Sequence, residues 1–316
     1  MLSLGRRRPR NAGAFAYYTA RRHNARVRFG AIILPDGRWS DGGWRWQRAE
    51  ELGFDHAWTY DHLAWRSLRD SPWMSAIPVL TAAALTTSRV RLGPLVSSAN
   101  FRHPVPFAKE LMTLDDISGG RLVIGIGAGG EGWDATMLGH DPWPSRERSE
   151  RFAEFVELTD LLLSQPASSY TGSFYAADDA RNIPGCIQTP RAPFAIAATG
   201  PRGMRLAAQF GQMWVTTGDR AGIQGVAPRD GAKIVREQMN LLDDACIEMG
   251  RDPSSVARMI VTGLRLDPGT ASAESFRDAI GCYEEVGVTD YSIHWPRNEP
   301  PYAGDVAVFE EVFSRK

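Results

Sequence analysis

The chain has 316 residues, 43% of them hydrophobic, and a formal net charge of -1; this is enough for a large core, and the length fits either two ordinary domains or one large α/β barrel. The near-neutral charge hides an asymmetry: Arg6, Arg7, Arg8, Arg10, Arg21, Arg22, Arg26 and Arg28 all precede the first acidic residue, Asp36, and without them 28 basic residues face 37 acidic ones, a net of -9. That acidic body argues against a nucleic-acid surface, Cys186, Cys246 and Cys282 give neither a disulfide framework nor a C-x-x-C metal pair, and no apolar run reaches bilayer length, so a cytoplasmic protein without nucleic-acid or membrane partners is expected.

Residues 1–26 carry neither helical nor strand periodicity, and no apolar stretch follows their arginines. A disordered tail is expected there rather than a twin-arginine export signal, with the folded domain at 27–316. From Val27 onward, short β-type runs alternate with amphipathic helical stretches. RFGAIIL (28–34) precedes the helix GWRWQRAEELGF, and HAWTY (56–60) precedes WMSAIPVLTAAALT. VRLGPLV (90–96) leads into PVPFAKELMTLDDIS, with proline in its first turn and Gly119-Gly120 at its end. RLVIGIG forms the fourth strand, and its helix follows only at RERSERFAEFVELTDLLLSQ (146–165). After an aromatic-dotted excursion (166–190) come PFAIAAT with PRGMRLAAQFG and MWVTT with the helix around AKIVREQMNLLDDACIEMG. ARMIVTGLRL with AESFRDAIGCYEEVG, and DYSIHW with AGDVAVFEEVFSRK, complete the series. Eight alternating units imply parallel strands joined by helices, and they predict one (β/α)8 TIM barrel of the α/β class with an excursion after the fourth helix.

The fourth strand runs into GIGAGG, which matches G-x-G-x-x-G at Gly125, Gly127 and Gly130. A Rossmann fingerprint needs the glycine turn to open directly into a helix that holds the pyrophosphate. Here Gly132, Gly139, Pro142 and Pro144 prevent an immediate long helix, and the motif sits on the fourth strand rather than the first. In a barrel the same glycines either let a flat ligand rest on the mouth or satisfy a close-packed loop needing positive φ. A second glycine site, IAATGPRGMRLAA (196–208), ends a strand in small residues and starts a helix at once, with Arg202 and Arg205 in its first turns. It reads either as a phosphate seat or as an ordinary strand-to-helix turn. There is no G-x-S-x-G, no G-x-x-x-x-G-K-[ST] and no H-E-x-x-H, so a serine hydrolase, a P-loop ATPase and a zincin-type metal site are not indicated.

Three stretches, ELGFDHAWTYDHL (51–63), RVRLGPLVSSANFRHPVPFAKELMTLDDISGGRLVIGIGAGG (89–130) and PFAIAATGPRGMRLAAQFGQMWVTTG (193–218), resemble the bacterial-luciferase-like family of barrel flavoenzymes. The likeness is greatest to the branch that uses the deazaflavin coenzyme F420. It covers the first six strands and fades after Gly218.

The resemblance implies a deazaflavin lying across the barrel mouth and a hydride exchanged with a small organic substrate. FMN with monooxygenase chemistry is the alternative, and a cofactor-binding barrel without turnover is a third. It implies that Asp61 and His62 lie near the ring, and that Leu95, Val96 and Ser97 support it from behind at a bulge or non-proline cis peptide. Gly127, Ala128, Gly129 and Gly130 would border the ring, Ala198, Thr199, Gly200 and Pro201 would meet the phosphate, and Thr216 and Thr217 would close the tail side. Family members often form homodimers. Because the cofactor supplies the hydride chemistry, the protein must orient substrate and manage one proton, which suits His62, with Trp65 as a wall beside it. Glu131 is a second candidate acid, one position later than the pattern places it. His103 is expected to shape the third loop, and His56 and His294 to be structural.

Overall fold

The computed structural model describes residues 26–130, 133–218, 224–263 and 265–314. Of the sequence-based expectations, residues 1–25 of the tail expected at 1–26 and the candidate acid Glu131 lie outside them.

The parallel sheet is formed by β1 (Arg28–Ile32), β2 (His56–Thr59), β3 (Arg91–Pro94), β4 (Ser97–Ser98), β5 (Ile124–Gly127), β8 (Phe194–Ala197), β9 (Met213–Thr216), β10 (Ala257–Val261) and β11 (Asp290–His294). Their order is β3-β2-β1-β11-β10-β9-β8-β5-β4. Its two ends belong to one stretch of chain, 91–98, whose first half pairs with β2 and whose second half pairs with β5. The stretch is bent at the cis peptide Leu95–Val96. The sheet therefore closes on itself into an eight-stranded barrel, and the predicted third strand is two short pieces around a bend.

Helices follow the strands as expected for right-handed crossovers: α1 (Trp39–Gly42) with α2 (Trp44–Glu51), α3 (Ala76–Thr86), α4 (Pro104–Ile117), α5 (Trp133–Met137) with α6 (Ser145–Ser164), α7 (Pro201–Phe210), α8 (Pro228–Glu248), α9 (Ala273–Glu285) and α10 (Val306–Ser314). Strand side chains alternate between two cores. Phe29, Ala31 and Ile33 pack outward under the helices, whereas Ile32, Leu34, Trp58, Val123, Ala195, Met213, Val215 and Met259 fill the barrel interior.

The excursion after α6 is an antiparallel hairpin, β6 (Ala167–Thr171) and β7 (Ala176–Arg181), which forms its own two-stranded sheet. Its turn hangs on one carboxylate: Glu154 of α6 accepts the backbone N–H groups of Ser173, Phe174 and Tyr175.

Candidate active site

At the C-terminal end of β2 the chain continues through Tyr60, Asp61 and His62. Asp61 does not present its carboxylate to the mouth. It is 1% exposed, and Arg102 donates to both of its oxygens, Nη2 to Oδ1 at 2.7 Å and Nε to Oδ2 at 3.1 Å. The Ser97 hydroxyl donates to Oδ2 at 2.5 Å. Burial opposes the charge on Arg102, but Asp61 together with Glu110 and Asp134 outweighs it, and the guanidinium is held above its ordinary range. Ser97, expected against a ring, is fully buried and committed to Asp61. Both residues therefore tie the end of β2 to the bend of the third strand, because a buried charge pair must satisfy itself locally.

His62 remains partly exposed, with 21% of its side chain accessible. Its Nδ1 lies 2.7 Å from Oδ2 of Asp134, while Oδ1 of the same carboxylate accepts the Leu63 N–H at 2.7 Å. Asp134 sits on α5, the short helix after the glycine turn. Sequence reading identified neither the helix nor the partner, since 72 residues separate the two side chains and only the loop conformation joins them. Trp73 Nε1 donates to the His62 carbonyl at 2.8 Å, fixing the backbone as Asp134 fixes the ring.

Trp65, expected as a wall, is buried at the top of the interior cluster. Its ring lies 5.3 Å from Tyr60, 6.4 Å from the parallel ring of Trp73 and 6.0 Å from Tyr302. Burial pushes His294 down to about 3, so its imidazole is neutral. Its Nδ1 lies 2.9 Å from the Thr262 carbonyl, which only accepts, so Nδ1 carries the proton and Nε2 accepts from the Tyr60 hydroxyl at 2.7 Å. Tyr302 lies 3.2 Å from Tyr60 and donates to it, because the Tyr60 proton is already used. The expectation that His294 is structural holds in that both ring nitrogens are engaged. A cavity of about 440 Å³ lies beside it, lined by Gly263, Pro268, Thr270, Tyr302 and Asp305 among others.

The floor of the mouth is small. A Cβ on Gly127 would stand 2.6 Å from Val96 Cγ2 and 3.4 Å from Ala197 Cβ, so these three positions close over the interior, with Ala128 half-buried next to them. The glycines of GIGAGG answer mainly to packing. A Cβ on Gly125 would stand 2.2 Å from the Pro94 carbonyl oxygen, and Gly129, at φ +73, would meet Asn100 at 2.3 Å. Gly130 has open space around it. Asn100 Nδ2 donates to the Gly130 carbonyl at 3.1 Å; this clamp on the turn was not found by sequence reading. Leu95 is buried in the interior cluster, so of the expected supports Val96 is the one that reaches the mouth.

Across the mouth, Ala198, Thr199 and Gly200 are half-buried and Pro201 opens α7. The N-cap of that helix, Gly200, has no side chain to cap it, and the first N–H groups of a helix have no partner within the helix itself. Arg202 stands 3.8 Å from Glu150. Thr216 is buried, donates to Gln238 Oε1 at 2.6 Å and accepts the Gly218 N–H, whereas Thr217 is exposed at the rim. His103 accepts the Val105 N–H as N-cap of α4, and His56 is buried in the barrel wall, as expected of both. Among the described residues no group of His, Cys, Asp and Glu is arranged to hold a metal ion, and no helix is long and apolar enough to cross a membrane.

The sequence profile of luciferase-like monooxygenases matches residues 25–280. The chain belongs to that family. Among relatives of this luciferase-like protein, the F420-dependent glucose-6-phosphate dehydrogenase of Beutenbergia cavernae is 32% identical over 257 residues, 77% of this chain and 70% of the relative. The 4-hydroxyprotoasukamycin monooxygenase of Streptomyces nodosus subsp. asukaensis is 30% identical over 243 residues, 72% of this chain and 61% of that one. Among solved structures, an F420-dependent secondary alcohol dehydrogenase in complex with an F420-acetone adduct superposes with a TM-score of 0.75 at 17% identity, over 92% of this chain and all of the other. That likeness confirms the predicted barrel. The luciferase-like protein is accordingly an enzyme of the oxidoreductase type its named relatives represent.

Proposed function

We propose that this luciferase-like enzyme is a coenzyme F420-dependent oxidoreductase that moves a hydride between the deazaflavin and a small organic substrate. The observation that carries the reading is the oriented, partly exposed His62 at the edge of a mouth whose floor is built from Val96, Gly127 and Ala197. Such a floor fits a flat ring, because any larger side chain at Gly127 would collide with its neighbours.

When bound, the deazaflavin supplies a two-electron hydride acceptor or donor, and it leaves one proton for the protein to manage. Val96, Ala128 and Ala197 would meet the ring face. The start of α7 at Gly200 and Pro201 would take the phosphate through the backbone N–H groups beside the proline and the helix dipole, with Arg202 and Arg205 adding positive charge and Thr217 at the rim of the tail side. Asp61, Ser97 and Asn100 act from beneath, holding the strand ends and the glycine turn in place. His62 exchanges the proton with substrate through Nε2, and the wall of Tyr60, Trp65, Trp73 and Tyr302 excludes water from that exchange.

Parallel fluorescence titrations of the purified protein with F420 and with FMN test the reading. Tight binding of F420 alone is expected. Binding of FMN alone would overturn it in favour of the monooxygenase alternative, which the 30% identical monooxygenase relative supports. The expected homodimer is tested on the same sample by light scattering.

A further inference from the structure

The geometry points to Asp134 as the positioning residue that fixes His62 in its Nδ1–H tautomer, leaving the Nε2 lone pair to accept a proton from a substrate hydroxyl. The two oxygens of Asp134 are divided between two donors. Oδ2 takes the imidazole at 2.7 Å and Oδ1 takes the Leu63 N–H at 2.7 Å. A carboxylate only accepts hydrogen bonds, so the proton between the pair resides on Nδ1. Nε2 then has no proton of its own in the neutral ring and no partner among the described residues, while the side chain stays partly exposed. The carboxylate is 5% exposed, and low-dielectric surroundings strengthen both bonds.

The groups around the pair agree with this assignment. The Tyr60 ring meets the imidazole edge-on at 6.2 Å, and its hydroxyl is committed to His294. Arg102 lies within the field of Asp134 but is bonded to Asp61 and Glu110. Neither competes for Nδ1. Asp134 has a consequence for direction that rests on the oxidoreductase reading. In the resting tautomer the site is prepared for oxidation of an alcohol: the substrate O–H bond breaks and its proton goes to Nε2, the carbinol C–H bond breaks and its hydride goes to the oxidised deazaflavin, and a C=O bond forms. The imidazolium that results is stabilised by the same carboxylate.

Asp134→Asn separates this role from a merely structural one. Asparagine keeps an oxygen for Leu63 N–H and the same shape, but it turns an N–H₂ group toward Nδ1, which then must accept; the proton moves to Nε2 and the lone pair is lost from the mouth. Nitrogen-15 NMR of the imidazole of His62, assigned with a His62→Gln control, reads the tautomer in the purified protein without any substrate. The expected result is Nδ1–H in the wild type and Nε2–H in Asp134→Asn, with an unchanged melting temperature. Asp134→Glu is expected to restore Nδ1–H. An Nε2–H ring in the wild type, or Nδ1–H persisting in Asp134→Asn, overturns the inference whatever the activity. With substrate and F420, kcat for alcohol oxidation is expected to fall about a hundredfold or more in Asp134→Asn with KM little changed. A tautomer that switches while neither His62→Gln nor Asp134→Asn alters kcat would leave the positioning intact and defeat the catalytic reading of His62.

Discussion

The GIGAGG turn provides a sharp test, because two of its glycines are predicted to respond very differently to the same added methyl group. At Gly125 the new Cβ would lie 2.2 Å from the Pro94 carbonyl oxygen and 3.3 Å from Leu95 Cα, more than 1 Å inside ordinary van der Waals contact. Those atoms are backbone, in the bent stretch that closes the barrel, and Gly125 itself is in register with Ala195 on the other side. Relief therefore requires moving a strand, at an overpacking cost of about 3 kcal/mol or more, against which the stiffer unfolded chain returns about 0.4–1 kcal/mol. With an unfolding entropy of roughly 2.1 cal/mol/K per residue, near 0.66 kcal/mol/K for this chain, Gly125→Ala is expected to lower Tm by about 3–4 °C or more. Gly130→Ala meets nothing within 4 Å and is expected to melt within about 1–2 °C of the wild type. Scanning calorimetry of both variants, paired with F420 titration, decides the matter. A Gly125→Ala protein that melts like the wild type yet fails to bind cofactor would refute the packing account and return the glycine to a ligand-contact role.

Asp61→Ala strands the guanidinium of Arg102 with only the half-exposed Glu110 beside it. A loss of about 3–5 kcal/mol is expected, or a Tm drop of roughly 5–8 °C, with partial recovery in Asp61→Ala combined with Arg102→Met; an unchanged Tm in the single variant would show that the pair contributes little. His56 and His294 are both pushed from 6.5 down to about 3 by burial. The folded state thus binds fewer protons than the unfolded chain between those values, so stability is full above about pH 6.5 and declines as pH falls toward 3. Each histidine removes about 2 kcal/mol by pH 5. Calorimetry at pH 7 and pH 5 should show the drop, reduced in His294→Gln; a pH-independent Tm would contradict buried neutral imidazoles.

The barrel was legible because its signal is repeated: eight apolar runs alternate with eight amphipathic stretches, and each of the eight predicted helices is observed within a few residues of its span, while the short helices α1 and α5 carry too few turns to show a period. The bend at Leu95–Val96 was anticipated from family likeness rather than from periodicity, which reads VRLGPLV as one strand. Several candidate site residues do lie at strand ends, but their orientation could not be read. The polar atoms of Asp61, Ser97 and Thr216 turn into the wall toward Arg102, Asp61 and Gln238 respectively, and no one-dimensional pattern encodes that choice. Asp134 and Asn100 were missed for a related reason. Their partners, His62 and Gly130, lie 72 and 30 residues away, and the contacts exist only once adjacent strand-end loops have folded against each other.

The hairpin between α6 and β8 shares no backbone ladder with the barrel, and its turn is suspended from Glu154. Exchanging such a segment would mean replacing the Glu154 attachment and the packing of Tyr175 on Phe155 and His103, while the strands that carry His62 and the glycine turn keep their register. The hairpin is thus a place where length and sequence can vary without shifting the hydrogen-bond register of any barrel strand.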